Sequence, residues 1–191
     1  MEKQAPPVNI YIESNPNPNS LKFVANFMLI PDGENFDFPD AESAGISPLA
    51  LQLFERPYVT RVFYMSNFIT VTKDDSVEWA EVRAEIKEQI KAYIESGNDL
   101  FDDTVIPAAT HNDDPEVVVK IKGVLDEYVK PAVEMDGGAI VFQSFDEGTV
   151  TVALQGSCNG CPSSTITLKA GIENILTSMV PEVKKVEAMP G

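Results

Sequence analysis

The residues with the most distinctive chemistry in this chain are two cysteines, Cys158 and Cys161, in the segment GSCNGCPSST. They are the only cysteines among 191 residues, and their neighbours are glycine, serine, asparagine and proline. Buried structural cysteines behave as small hydrophobic residues, so this polar setting argues against a pair of inert thiols. Two thiolates on one short loop can instead bind a metal ion or one edge of a metal cluster.

The number of ligands is the main constraint on such a site. Tetrahedral zinc and the two common iron–sulfur clusters generally take four protein ligands, and this chain offers two cysteines. The single histidine, His111, is in a different segment, and carboxylates are poor ligands for a soft cluster. A second copy of the chain, related by a two-fold axis near the loop, would supply the missing pair. The sequence therefore predicts a metal site shared between two chains, whose lability would suit a carrier.

Two other interpretations of the same motif remain open. One is a zinc-binding homodimeric module, which needs the same four thiolates. The other is a thiol–disulfide oxidoreductase, because a Cys-x-x-Cys motif can also exchange disulfides. The βαβ pattern expected for that second class is absent, and no aromatic residue adjoins Cys158.

The elements around the cysteine loop follow from local patterns. AIVFQSF and TVTVALQG, joined by DEG, predict a β-hairpin that leads into the loop. Pro162, Ser163 and Ser164 then open a helix with an apolar stripe of Leu168, Ile172, Ile175, Leu176 and Met179. The start of that helix would direct unpaired N–H groups and the positive end of its dipole towards the thiolates. PEVKKVEAM can supply a last strand.

A further helix is predicted before the hairpin. Asp114 is placed to cap it, Pro115 lies in its first turn, and Pro131 with Gly137-Gly138 closes it. Its expected apolar face is Val117, Ile121, Val124, Leu125, Tyr128 and Ala132. The order α-β-β-α-β over residues 115–191 indicates a small two-layer domain.

Residues 1–96 predict a second two-layer domain. Two strands are predicted at VNIYIE and LKFVANFML, and a hairpin is predicted at YVTRVFYM and FITVTK. A helix capped by Ser47 is predicted at SPLALQLFER. A long helix is expected from about residue 76 to 96, with Asp75 and Glu78 at the spacing of a capping box. This half contains no cysteine, histidine or glycine-rich phosphate loop, so no chemistry is assigned to it. The fold class is α+β: two small two-layer α/β domains joined by an acidic flexible linker over 97–114.

Charge and hydropathy limit the partners. The net charge is −16, and acidic residues outnumber basic ones in both halves and in the linker. This balance lacks the basic surface that nucleic acids and anionic membranes require. No apolar run approaches the roughly 18 residues of a membrane helix, and the start of the chain has no leader pattern. We therefore expect a cytoplasmic protein with neither nucleic acid nor membrane as partner.

Longer segments resemble a known family. Residues 115–189 closely resemble the NifU-type carboxy-terminal domain of iron–sulfur scaffold proteins. The resemblance is carried by the segments MDGGAIVF and GTVTVALQGSCNGCPSSTITLKAGIENIL. NPNSLKF, SPLALQLF and FITVTK are similar to the amino-terminal domain of Nfu proteins. The chain lacks the U-type scaffold domain and the ferredoxin-like domain of full NifU proteins, so carriage is expected rather than de novo assembly.

The resemblance implies a non-enzymatic iron–sulfur cluster carrier. A [4Fe-4S] cluster would bridge two chains through Cys158 and Cys161 and would be delivered to apo iron–sulfur proteins. An upstream donor would supply the cluster, the loaded form would be a homodimer, and the amino-terminal domain would contribute contacts to clients or the donor.

Overall fold

The computed structural model describes residues 7–31, 33–101, 114–159 and 164–190. By their contacts the residues fall into two compact units, Met1–Ser14 with Asn19–Ile106, and Asn15–Pro18 with Pro107–Gly191. Both units combine a β-sheet with helices, which confirms the α+β class. Most of the predicted linker over 97–114 lies outside the described residues, so the predicted boundaries stay predictions.

The first unit contains a five-stranded antiparallel sheet in the order β1-β2-β5-β4-β3. Its strands are β1 Ile10–Ser14, β2 Ser20–Ala25, β3 Asn35–Phe38, β4 Val59–Met65 and β5 Phe68–Lys73. The predicted hairpin is confirmed, since β4 and β5 pair around a turn in which Ser66 has a φ of 48°. The edge strand β3 had not been expected, because NFDF is too short to show a period.

Among the described residues, this unit also has two α-helices and a short 3₁₀ helix, Ser43–Ile46. Helix α1 (Pro48–Phe54) begins as predicted, with Ser47 Oγ accepting a hydrogen bond from Ala50 N at 3.3 Å. Helix α2 (Trp79–Glu95) begins later than expected, and the proposed Asp75–Glu78 capping box is wrong. Asp75 Oδ1 instead accepts from Asn19 Nδ2 at 3.0 Å, and Glu81 Oε2 accepts from the N–H of Glu78 at 3.2 Å.

The second unit has the predicted α-β-β-α-β order. Strands β6 (Gly138–Asp146) and β7 (Thr149–Gly156) form the antiparallel hairpin, and β8 (Lys185–Pro190) pairs parallel with β7. Positive φ values of 46° and 92° at Glu147 and Gly148 make the two-residue turn. The core is formed by the first helical segment, the hairpin and helix α5 (Ser164–Met179). Met179 is 47% exposed, so the predicted apolar stripe ends before it.

The first helical segment differs from the prediction in a way that its proline explains. It runs as α3 (Glu116–Val124), one π-helical stretch (Leu125–Val129) and α4 (Lys130–Met135). In the π stretch the N–H of Lys130 reaches the carbonyl of Leu125. Pro131 has no N–H to offer, so the wider turn passes it and the helix does not close there.

A π-helical turn holds one residue more than an α-helical turn, and this added residue shifts the buried face of the segment. Tyr128 and Ala132 were expected in the core, but both are exposed, whereas Val129 and Val133 are buried. The cap is also different: Asp114 makes no capping bond and pairs with Lys122.

Across the described ranges, no helix is long and apolar enough to span a bilayer.

Candidate functional site

Cys158 lies two residues beyond the end of β7. Its side chain is 5% exposed and belongs to the core cluster of the second unit, which includes Leu154 and Ile172. Cys161, the other predicted ligand, lies with residues 160–163 outside the described residues. The structure therefore places one of the two predicted site residues.

The backbone before Cys158 is held from the end of α4. The N–H of Ser157 donates to the carbonyl of Gly137 at 3.3 Å, and Ser157 Oγ donates to the carbonyl of Asp136. Gly137, with a φ of 81°, ends the helix, and its N–H bonds to the carbonyl of Glu134 at 3.0 Å. The predicted helix stop at Asp136-Gly137-Gly138 thus also fixes the residue that precedes the thiol.

Gly138 forms a cradle for the thiol. It pairs with Gly156 at the open end of the hairpin. A β-carbon at Gly138 would lie 2.8 Å from Cys158 Sγ and 2.6 Å from the carbonyl oxygen of Gln155. Real contacts are not so short, so the sulfur occupies space that only glycine leaves open.

The carbonyl of Ser157 has a side-chain partner. Asn17, which is 6% exposed and is grouped with the second unit, donates from Nδ2 to the Ser157 oxygen at 2.9 Å. A cavity of about 40 Å³ adjoins this bond, lined by Pro16, Asn17, Asp136, Ser157, Cys158 and Leu168. Cys158 is therefore buried, but it borders open space.

The chemistry of this arrangement fits a soft metal cargo. Helix α5 begins three residues after Cys161, and Leu168 from its second turn reaches the cavity beside Cys158. In the part of the chain that the structure describes, no three cysteine, histidine or carboxylate side chains are gathered as a metal site. One chain thus offers thiolates from its cysteine loop and no further set of ligands among the described residues.

The support of the thiol by Gly138, Ser157 and Asn17 was not predicted from the sequence. The opposed glycines 138 and 156 were a signal, because two glycines at one end of a hairpin indicate close approach of another group. Asn17 gave no signal, since it is 140 residues from Ser157 in the chain.

Two family models match this chain. Residues 10–97 match the model of the scaffold protein Nfu/NifU N-terminal domain, and residues 121–187 match the NifU-like domain. A solution NMR structure of a NifU-like protein from Saccharomyces cerevisiae is 27% identical and covers 54% of this chain and 91% of its own, with a TM-score of 0.47.

Curated relatives are similar over most of the chain. The "NFU1 iron-sulfur cluster scaffold homolog, mitochondrial" of Drosophila willistoni is 41% identical over 93% of this chain, and its Drosophila persimilis counterpart is also 41% identical over 93%. The chain spans 62% and 64% of the length of these two proteins. The chain belongs to the Nfu-type family of iron–sulfur cluster scaffold proteins.

The relatives correct one prediction. Both carry the word mitochondrial in their names, so the cytoplasmic location expected from the sequence is wrong. Charge balance and hydropathy do not determine the compartment of a folded protein.

Proposed function

We propose that this protein carries a [4Fe-4S] cluster between two chains and delivers it to apo iron–sulfur proteins without catalysing a reaction of its own. Cys158 and Cys161 are the ligands from each chain. The observation that supports this most strongly is that the chain has only two cysteines, both in one loop, whereas the cluster takes four thiolates. An upstream donor loads the pair of chains.

The surroundings of Cys158 suit a cargo that must leave again. The thiol is buried and follows Ser157, whose N–H bonds to the carbonyl of Gly137, so loading requires the sulfur to turn towards the cluster. Gly138 leaves the space that the sulfur occupies before it turns. Such a loop binds when two copies meet and releases when they part.

Anaerobic reconstitution with iron and sulfide tests the ligands. We expect about two irons and two sulfides per chain, on a dimer in native mass spectrometry. Cys158→Ser and Cys161→Ser should each reduce loading to near background, and Met179→Ser, which removes an exposed sulfur at the far end of α5, should load normally. Full loading of either cysteine variant would exclude that residue as a ligand.

The same samples separate the alternatives. One zinc per two chains without acid-labile sulfide would favour the zinc module. Reduction of insulin disulfides by metal-free monomers would favour the oxidoreductase. Transfer of the cluster to an apo-protein, together with no insulin reduction, supports the carrier.

A further inference from the structure

The two most exposed large apolar side chains in the described ranges belong to the surroundings of the cysteine loop. Met135 is 75% exposed and Ile166 is 77% exposed. The next most exposed of this group, Tyr11, reaches 59% and belongs to the first unit. Single exposed apolar side chains are common on protein surfaces, whereas grouped ones indicate an interaction site.

Both residues are tied to Cys158 by short structural links. Met135 is the last residue of α4, and the carbonyl of the next residue, Asp136, accepts the hydroxyl of Ser157. Ile166 is the third residue of α5, and Leu168, two residues further on, lines the same cavity as Asp136 and Cys158. The loop thus has one exposed apolar residue on the helix before it and another on the helix after it.

We propose that Met135 and Ile166, named here the flanking pair, form the contact surface for a second copy of this chain. This inference rests on the proposed function. A cluster held by two cysteines from each copy places the two-fold axis beside the cysteine loop. Residues that flank the loop then lie at the centre of the interface, where apolar side chains are enriched and charged ones are depleted.

The charge of the chain explains why the pair is apolar. Each copy carries a net charge of −16, so two copies repel one another at a distance. Four thiolates add negative charge at the axis itself. Apolar contacts near the axis provide attraction that does not depend on charge, and they disappear when the copies separate.

Charge-swap variants test the occupant of this surface. Ile166→Glu and Ile166→Lys each place two like charges near the axis of a homodimer, whereas a mixture of the two variants places opposite charges there. We expect the loaded dimer of each single variant to fall at least about tenfold relative to wild type. Mixing them before reconstitution should restore a cluster-bearing heterodimer, which native mass spectrometry identifies by its mass.

Met179→Glu and Met179→Lys are the matched controls. Met179 is 47% exposed on the same helix, thirteen residues or about 20 Å along its axis from Ile166. These variants change the net charge equally, and both should load as wild type does.

The outcomes distinguish this inference from the function beneath it. Normal loading of both Ile166 variants as homodimers would overturn the contact surface while leaving the carrier intact. Failure of both variants without recovery in the mixture would also overturn it, because the surface would then serve something other than a second copy. A wild-type protein that loads as a single chain, or does not load, would refute the proposed function itself.

Discussion

Ser47 in the first unit and Ser157 in the second are both buried, and their hydroxyls serve different ends. In the first unit Ser47, 0% exposed, lies 3.0 Å from the hydroxyl of Tyr64 and accepts the N–H of Ala50. In the second unit Ser157, 2% exposed, donates to the carbonyl of Asp136 and precedes Cys158. The first hydroxyl joins a helix start to a strand. The hydroxyl of Ser157 holds the backbone next to Cys158, so its hydrogen bond helps to position the thiol.

The surroundings of the two serines differ in the same sense. Tyr64 is fully buried and packs edge-on against Phe38, with 5.4 Å between the ring centroids. Ser157 and Cys158 border a cavity, and the thiol of Cys158 also lies against Gly138. Ser47 and Tyr64 are thus fully enclosed, whereas Ser157 and Cys158 border open space where the chemistry is proposed.

Gly138→Ala should have the largest effect on this contrast. Its β-carbon would meet Cys158 Sγ and the Gln155 carbonyl, so we expect a loss of about 1–3 kcal/mol in the free energy of unfolding and a severe loss of cluster loading. Denaturant titration and iron analysis measure the two effects.

Gly171→Ala is the matched control for that variant. Gly171 lies inside α5 with nothing within 4 Å of its added β-carbon, and the change should stabilise the helix by up to about 1 kcal/mol. Normal loading of Gly138→Ala would show that the cradle does not position the thiol.

A pair of hydroxyl deletions compares the units directly. Tyr64→Phe and Ser157→Ala each remove one side-chain hydrogen bond, and each should cost about 1 kcal/mol of stability. Only Ser157→Ala should shorten the lifetime of the bound cluster, followed by the decay of its visible absorbance. Equal lifetimes in the two variants would contradict the positioning role of Ser157.

Alkaline titration should have the smallest effect on this contrast, because Tyr64, whose pKa is strongly shifted, lies in the first unit. Burial raises the pKa of Tyr64 above its ordinary value of 10.0. The folded state therefore holds the proton more tightly, so this stabilisation is complete below about pH 10 and is lost as the pH rises further. Fluorescence of Trp79, the single tryptophan, reports unfolding of this unit.

Tyr64→Phe provides the control for the titration. It should flatten the decline of stability above pH 10, where wild type loses up to about 1.4 kcal/mol per pH unit for this group. An unchanged slope would assign the decline to other groups, among them Tyr58, whose pKa burial also raises.

The sequence predicted the elements better than their contacts. Alternating residues gave the hairpin of β6 and β7, in which Val150, Val152 and Leu154 share one buried face, as a period of two requires. Helical periodicity predicted the wrong buried residues after Leu125, because the pattern of apolar residues does not show where a π-helical turn adds one residue. Local sequence patterns also could not predict the support of Cys158 by Asn17 and Ser157, because that support depends on contacts between distant segments.

The π stretch has a consequence for comparing this chain with others. One additional residue rotates the rest of a helix by about 100°, and here that rotation brings Val129 and Val133 inward. A protein that lacks one residue at this place and has no proline can keep the same inward-facing valines with an uninterrupted α-helix. A one-residue gap between 125 and 131 in an alignment therefore records a change in helix type, with every core position retained.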